Sequence, residues 1–295
     1  MRIVLLGDIH LYRLSVPPWR LLSNRLVGQL NLWLRRRHHF DRSLLPGVIG
    51  QVLAIKPDML LLSGDLTTTA IESEFADVRA ALRPATSQID TFAVPGNHDR
   101  YTFTSAWTRR FEKHIEPFAP GSFPHLRKLT DRWYLLALDP ALPRLFSSRG
   151  RVGKRQLHEA QRLLDSLEGD VGLLLVCHYP CWTPPGVRWK WDHRLADAGA
   201  LLRLVCSAAR KHPHVLFVHG HIHEPWCRRV GDHGRDNANL TMLNAGAPCL
   251  HQAKYPAGQG FWQIELPDDP RCEVRMIHHV PRQNAGCIVW QSEPA

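Results

Sequence analysis

The stretch Met59-Leu60-Leu61-Leu62-Ser63-Gly64-Asp65 decides the fold. Its four consecutive apolar residues predict a short strand that is buried on both faces, as strands of parallel sheets are. Gly64 permits a tight turn and a close approach of backbones, so we expect Asp65 at the carboxyl end of this strand. Four further apolar runs stop in the same way at polar residues, near positions 8, 97, 178 and 221.

The polar residues that follow these five strands are of metal-binding types. Strands of an α/β sheet direct their carboxyl ends to one edge, so side chains far apart in the sequence can converge there. Carboxylate, imidazole and amide donors together suit manganese, iron or zinc, whereas calcium prefers oxygen ligands alone. The predicted metal ligands are Asp8, His10, Asp65, Asn97, His178, His221 and His223.

These ligands predict a two-metal site. Asp8 and His10 are separated by one residue, and we expect them to alternate as strand residues do and to face the same ion. Two ions about 3.5–4 Å apart can hold a hydroxide between them and bind phosphoryl oxygens. His98 is the predicted general acid that protonates the leaving oxygen, and Asp99 is predicted to orient its ring or raise its pKa.

Five ordered sequence blocks strongly resemble those of the calcineurin-like metallophosphoesterases. The blocks are GDIH (7–10), SGDL (63–66), GNHD (96–99), CHYP (177–180) and GHIH (220–223). The resemblance implies an α/β fold, a four-layer αββα sandwich. It also implies two divalent metal ions, manganese being favoured over iron and zinc, and it matches His98 and Asp99 to the family's acid and its partner.

The resemblance further implies how the ligands are shared between the two ions. One ion is held by Asp8, His10, Asp65 and His223. The other is held by Asp65, Asn97, His178 and His221, so that Asp65 bridges the two. Asn244-Ala245-Gly246 falls where the family often has an Asn-x-Gly turn, which we interpret as structural support.

The segment 11–42 carries seven arginines against one acid, within a chain of formal charge +10. Its residues 19–37 predict an amphipathic helix, because Trp19, Leu22, Leu26, Leu30 and Trp33 share one face. This helix either packs on the sandwich, lies at an anionic membrane surface, or caps the site for a lipid-bearing substrate. The last alternative resembles the UDP-2,3-diacylglucosamine pyrophosphohydrolases of lipid A synthesis, although this chain keeps His98 where one branch of those enzymes has arginine.

We expect a single domain over residues 1–283, with 11–42 as a helical insert and 284–295 as a loose tail. Helices are predicted over 44–56, 104–116, 154–168 and 195–211. Another is predicted from a capping box of Thr69 and Glu72 to about Leu82. The seven scattered cysteines lack a CxxC pair, and the N-terminus lacks a signal peptide. Both features favour reduced thiols and a cytoplasmic protein, located either free or peripherally at the inner face of the membrane.

The sequence is compatible with three functions. The first is a phosphodiesterase or pyrophosphohydrolase that acts on a small or lipid-linked phosphorylated substrate, such as a UDP-acylated sugar. The second is a nuclease or cyclic-nucleotide phosphodiesterase with the same site, and nucleic acid ranks lower as a partner because the arginines alternate with Trp and Leu at helical spacing. The third is a non-catalytic scaffold, which the complete ligand set disfavours. No obligate protein partner is evident, and His219, Arg100 and Tyr101 are candidates for supporting or substrate-contacting roles.

Overall fold

Runs of apolar residues form two sheets in the computed structural model. It describes residues 1–13, 40–144, 147–187, 191–230, 239–250, 259–284 and 287–295, without the side chains of 192, 283, 284 and 287–289. The predicted helix 19–37 therefore lies outside the described residues. The strands are β1 (Arg2–Leu6), β2 (Met59–Leu62), β3 (Asp90–Ala93), β4 (His125–Lys128), β5 (Trp133–Leu138), β6 (Gly172–Cys177), β7 (Val215–His219), β8 (Trp226–Arg229), β9 (Leu240–Asn244), β10 (Phe261–Glu265), β11 (Arg275–Asn284) and β12 (Cys287–Pro294).

Each sheet combines parallel central strands with antiparallel strands at an edge. Within the described residues, the first sheet has the order β12-β11-β10-β1-β2-β3, and the second has the order β4-β5-β6-β7-β9-β8. Strands β1, β2 and β3 are parallel, as are β5, β6, β7 and β9. The carboxyl ends of the central strands of each sheet therefore share one edge, as the sequence predicts.

Helices cover the outer face of each sheet. They are α1 (Leu45–Ile55), α2 (Glu72–Thr86), α3 (Phe103–Trp107), α4 (Arg110–Ile115), α5 (Lys154–Asp165) and α6 (Ala198–Lys211). Successive strand residues point to opposite faces. Thus Leu61 packs between the sheets with Leu174, whereas Leu62 packs outward on the cluster that includes Val48 of α1. A third cluster joins the second sheet to α5 and α6. The predicted four-layer αββα sandwich is confirmed.

The beginning of α2 differs from the predicted capping box. The helix begins at Glu72, and its N-cap residue, Ile71, makes no side-chain cap. Thr69 instead donates its backbone N–H and its hydroxyl to Glu74, at 2.8 and 3.0 Å. Helix α2 also continues past Leu82, through Pro84, to Thr86. The predicted helix 104–116 is two short helices, α3 and α4, because Arg109 between them adopts a left-handed conformation with φ 51°.

The expected loose tail is wrong for residues 287–294, which form strand β12. This strand pairs antiparallel with β11 from Cys287, opposite Asn284, to Pro294, opposite Ile277. Trp290 is half-buried and packs on the outer apolar cluster of the first sheet, the one that includes Val48. Its ring lies 5.4 Å from that of Phe261. The C-terminal residues are therefore held by an edge of the sheet, through backbone pairing and one packed aromatic side chain.

Candidate metal centre

The predicted ligands converge where the carboxyl ends of the two sheets meet. Asp8, Asp65 and Asn97 follow β1, β2 and β3 of the first sheet, while His178 and His221 follow β6 and β7 of the second. Main-chain hydrogen bonds hold the first two loops together, because Asp8 N donates to Gly64 O and His10 N donates to Asp65 O, both at 3.0 Å. Across the sheets, the His221 N–H donates to Asp8 Oδ2 at 2.9 Å.

One group of ligand atoms is formed by Asp8, His10, Asp65 and His223. The Nε2 atoms of His10 and His223 lie 3.1 Å apart, and His223 Nε2 lies 3.2 Å from Asp8 Oδ1. His10 Nε2 is 3.7 Å from Asp65 Oδ2. Ligand atoms that face one another at these separations have the arrangement of donors around a common cation.

A second group is formed by Asp65, His178 and His221. Asp65 Oδ2 lies 3.3 Å from His178 Nε2, so the same oxygen that faces His10 also faces the second group. The other oxygen, Oδ1, accepts the backbone N–H of His98 at 2.7 Å. Asp65 thus occupies the position of a bridging ligand, with one oxygen held by the protein and the other between the two groups.

Several buried polar atoms at this centre have no hydrogen-bond partner among the described residues. They include Asp8 Oδ1, Asn97 Oδ1 and His178 Nε2. An unpaired buried carboxylate or amide oxygen loses its hydration without compensation, and a cation would supply the missing interaction. His178 Nδ1 lies 2.8 Å from Ser63 O, and donation to this carbonyl leaves Nε2 free to coordinate. The residues present therefore fit two divalent ions.

The ligand loops adopt an unusual backbone conformation, which corrects the expected strand-like alternation. Strand β1 ends at Leu6, before the first ligand. Left-handed φ values occur at five ligand residues, namely Asp8 (51°), His10 (51°), Asp65 (52°), His221 (74°) and His223 (64°). This conformation costs most residues other than glycine roughly 1–2 kcal/mol each, and aspartate and asparagine adopt it more readily than histidine does. The side chains therefore converge through strained turns after the strands rather than by alternation along them.

Two glycines permit the close approach of these loops. Gly64 has φ +100°, and a Cβ there would lie 2.6 Å from Gly96 N and 2.8 Å from His178 Nδ1. A Cβ on Gly96 would overlap the carboxylate of Asp65. A larger residue at either position would push apart loops that carry ligands of the same centre.

The charged groups of the metal centre strongly shift one another's pKa values. Burial alone would lower the pKa of His178, but the nearby carboxylates of Asp65 and Asp8 raise it to about 9. Burial likewise would raise the pKa of Asp65, yet the positive charges of His178, His98 and His10 hold it well below its usual range. Burial lowers the pKa of His221 well below the usual value, which favours the neutral imidazole that metal coordination requires.

His98 lies beside the first ligand group, with its ring centroid 4.8 Å from that of His10. Its Nδ1 is 2.7 Å from the carbonyl oxygen of Thr68, so the main chain makes the orienting contact that was predicted for Asp99. The Asp99 carboxylate instead accepts the N–H groups of Gly96 (3.0 Å), Thr67 (2.9 Å) and Leu66 (3.3 Å). Burial, followed by the charge of Asp65, raises the pKa of Asp99 to about 6. Asp99 therefore joins the two loops that carry Asp65 and His98.

The other predicted residues have supporting positions. Asn244 donates to Gly220 O at 2.9 Å and accepts the Gly246 N–H at 2.8 Å, which fixes the loop before His221. His219 is fully buried, burial lowers its pKa to about 3, and it belongs to neither ligand group among the described residues. Arg100 is buried between Glu112 (2.6 Å) and Asp139 (2.7 Å). The Tyr101 ring stacks on His98 at 5.6 Å.

Two neighbours of the centre were not predicted from the sequence. The carbonyl oxygen of His193 lies 2.8 Å from His221 Nε2, so His221 has its Nδ1 left for a metal ion. Phe40 packs against His10 and His223, with ring centroids 4.6 and 5.5 Å apart. A main-chain carbonyl has no sequence signal, and a single phenylalanine within an arginine-rich segment has none that distinguishes it from a core residue.

Comparison with known proteins agrees with this geometry. A family profile described as calcineurin-like phosphoesterase matches residues 1–225. A dimetal phosphatase from Danio rerio is 13% identical, with 94% of each chain covered and a TM-score of 0.60. A purple acid phosphatase from yellow lupin (Lupinus luteus) seeds is also 13% identical. The match covers 95% of this chain and 51% of that one, with a TM-score of 0.61. These two structures show a shared fold.

No curated protein sequence is significantly similar to the chain. Among the described residues, no helix has both the length and the apolar character needed to cross a membrane.

Proposed function

The chain belongs to the calcineurin-like phosphoesterases, enzymes that hydrolyse phosphoesters at a metal centre, and on this premise we propose that it cleaves a phosphodiester or pyrophosphate bond with two divalent ions. The observation that carries the proposal is the position of Asp65 Oδ2 between the two groups of ligand atoms. We favour manganese among the ions that this mixture of oxygen and nitrogen donors accepts.

Different residues of the chain would bind the metal ions and transfer the proton. When bound, two such ions supply an activated water nucleophile and offset the charge on the phosphoryl oxygens. Asp8, His10, Asp65 and His223 would hold one ion, and Asp65, Asn97, His178 and His221 the other. His98 would donate a proton to the leaving oxygen, with its ring oriented by Thr68 O. Asp99 would keep the His98 and Asp65 loops in register.

A substrate screen with several metals tests this proposal. Metal-free protein would be supplied with Mn²⁺, Fe²⁺ or Zn²⁺ and assayed with p-nitrophenyl phosphate, bis(p-nitrophenyl) phosphate and a nucleotide pyrophosphate. We expect turnover of the diester or the pyrophosphate, with the highest rate in Mn²⁺, and its loss in Asp65→Asn. A matched control is His158→Ala, which changes an exposed histidine of α5. No turnover with any metal would contradict the proposal.

The basic segment 11–42 supports a substrate that is bound to, or presented by, an anionic surface. We propose a lipid-linked nucleotide pyrophosphate, such as a UDP-acylated sugar, with the enzyme peripheral to the inner face of the membrane. Co-sedimentation with vesicles that contain anionic lipid, together with cleavage of a nucleotide–lipid pyrophosphate, is the expected result. Absence of both would exclude the lipid-linked substrate and leave the hydrolytic chemistry intact.

A nuclease or cyclic-nucleotide phosphodiesterase is the alternative, favoured by the same excess of arginine. DNA cleavage that falls steeply with salt concentration would support the nuclease, and hydrolysis of a cyclic nucleotide would support the second enzyme. Neither activity is expected if the lipid-linked pyrophosphate is the substrate.

A further inference from the structure

An exposed tryptophan lies close in the chain to the carbonyl that contacts His221. Trp191 begins a short 3₁₀ helix, Trp191–His193, and its side chain is 68% exposed. His193 ends the same helix, and its carbonyl oxygen is 2.8 Å from His221 Nε2. A single residue of the chain therefore separates a solvent-exposed tryptophan from the residue whose main-chain carbonyl contacts a predicted metal ligand.

The loop that faces this helix is fastened to it and to the metal centre. Ser148 Oγ lies 2.6 Å from His193 Nδ1. Tyr179, the residue after the ligand His178, donates its hydroxyl to Ser148 O. Farther along, Ala196 N donates to Gly150 O at 2.8 Å. The helix that begins at Trp191 is therefore connected to His221 directly and to the residue next to His178 through Ser148.

One face of the Trp191 ring is already covered by a cation. The guanidinium carbon of Arg149 lies 4.6 Å from the ring centroid, a cation–π distance. Arg149 Nε is buried and has no hydrogen-bond partner among the described residues. Residues 140–153 also contain Arg144 and Arg151 and no acidic residue. One face of the ring is thus backed by a positive charge, and the segment that supplies this charge is rich in arginine.

From this arrangement we infer that Trp191, supported by Arg149, is a stacking platform for the nucleobase of a nucleotide-containing substrate. A nucleotide joins a flat aromatic group to a phosphate, which matches an exposed indole ring and arginines beside a phosphoryl-binding centre. Stacking of a base on an aromatic side chain is tolerant of base identity, because every base has a π face. The inference rests on the proposed function and adds the chemical class of the group next to the scissile bond.

Direct binding measurements test the platform separately from hydrolysis. UMP, AMP and ribose 5-phosphate would be titrated by calorimetry into the Mn²⁺-loaded protein, as wild type and as Trp191→Ala and Trp191→Phe. We expect Trp191→Ala to weaken UMP and AMP by roughly 5- to 100-fold and to leave ribose 5-phosphate unchanged. Trp191→Phe should retain part of the affinity, because a smaller ring still stacks.

Trp107→Ala is the matched control, since Trp107 is 87% exposed and lies on helix α3, a different element of the chain. It should leave all three affinities unchanged. The inference is overturned if wild type binds the nucleotides no better than ribose 5-phosphate. It is also overturned if Trp191→Ala leaves nucleotide affinity unchanged, or weakens all three ligands equally. Wild-type turnover of bis(p-nitrophenyl) phosphate or of a nucleotide pyrophosphate separates the two proposals. Absence of both activities contradicts the hydrolytic function, whereas either activity together with unchanged nucleotide affinity in Trp191→Ala contradicts the platform alone.

Discussion

The ring of His98 is oriented by the main chain, with Nδ1 2.7 Å from Thr68 O. Donation to this carbonyl leaves Nε2 as the atom that can transfer a proton to a leaving group. We expect His98→Ala to lower kcat by roughly 10²- to 10⁴-fold for substrates whose leaving group is an alkoxide. The loss should be much smaller for a p-nitrophenyl ester, because p-nitrophenolate needs little protonation. Steady-state kinetics with the two substrate types checks this, and equal losses for both would contradict the acid role.

Gly96 has no room for a side chain, because a Cβ would overlap the Asp65 carboxylate. Gly96→Ala should therefore displace the bridging ligand, reduce the bound metal from two ions per chain, and abolish turnover. Gly47→Ala is the matched control, since a Cβ there meets nothing within 4 Å. Gly47 lies in α1, where alanine is favoured over glycine by about 1 kcal/mol. The control should keep both ions and unfold at a slightly higher temperature. Full metal content in Gly96→Ala, measured by elemental analysis, would contradict the steric argument.

The residue types of the metal centre were predictable, whereas their backbone geometry was not. Asp8 and His10 were assigned to the same ion from their spacing alone, and they do share a ligand group. The spacing suggested strand alternation, however, and both residues have φ 51°. Left-handed turns arise from hydrogen bonds to a neighbouring loop, such as Asp8 N to Gly64 O. Contacts of this kind depend on tertiary structure, which local sequence does not specify.

The buried carboxyl group of Glu74 joins helix α2 to the loop that follows Asp65. Burial raises the pKa of Glu74 to about 7 from an ordinary value of 4.5, although it accepts hydrogen bonds from Thr69. Between these two pKa values the folded protein binds more protons at Glu74 than the unfolded chain does. The contribution of Glu74 to the free energy of unfolding therefore decreases as the pH rises from 4.5 to 7. The contribution amounts to roughly 3 kcal/mol, present below pH 4.5 and lost above pH 7.

Glu74→Gln should remove this part of the pH dependence. We expect the difference in free energy of unfolding between variant and wild type to change with pH mainly between 4.5 and 7, as measured by urea denaturation of metal-free protein. Parallel stability curves for the two proteins would show that Glu74 does not titrate in this range.

The contribution of strand β12 to stability can be tested at Trp290. The Trp290 ring contacts Phe261 at 5.4 Å and is half-buried, so Trp290→Ala should reduce the free energy of unfolding by about 2 kcal/mol. Trp107→Ala, which changes a ring that is 87% exposed, should alter it by less than about 0.5 kcal/mol. Chemical denaturation of both variants provides the measurement. Equal stabilities would mean that the last residues behave as the loose tail that the sequence predicted.

The wrong predictions for strand β12 and for the start of helix α2 have a common physical origin. Central strands such as β2 are uninterrupted apolar runs, and the sequence located them because burial on both faces requires apolar residues. The edge strand β12 is held largely by backbone pairing with β11, which places little demand on residue type. The start of α2 was misplaced for a related reason: Thr69 and Glu72 fit a capping box, but Thr69 contacts Glu74.

In the molecule as a whole, the site lies where the two sheets meet, above the apolar cluster that they share. Asp8, Asp65 and Asn97 come from the first sheet, and His178, His221 and His223 from the second. The fold could be predicted because five ordered blocks place these residues at strand ends. The substrate could not, because it depends on surfaces such as Trp191 and Arg149, whose contact joins parts of the chain about 40 residues apart.

Because loops of both sheets supply ligands, bound metal should stabilise the whole fold. An ion that binds only the folded state, at 100 times its dissociation constant, adds about 2.7 kcal/mol to the free energy of unfolding. For a chain of this size we therefore expect a chelator to lower the Tm by roughly 5–10 °C, as measured by calorimetry at fixed pH. His158→Ala should show the same decrease.

Asp65→Asn isolates the metal contribution from the fold. Asparagine tolerates the left-handed backbone at this position, φ 52°, and its amide oxygen can still accept the His98 N–H. The variant lacks only the charge that both ions would share. Its Tm should therefore lie close to that of the chelated wild type and should not respond to the chelator. A large decrease on chelation in this variant would show that the stabilising metal does not depend on the bridging carboxylate.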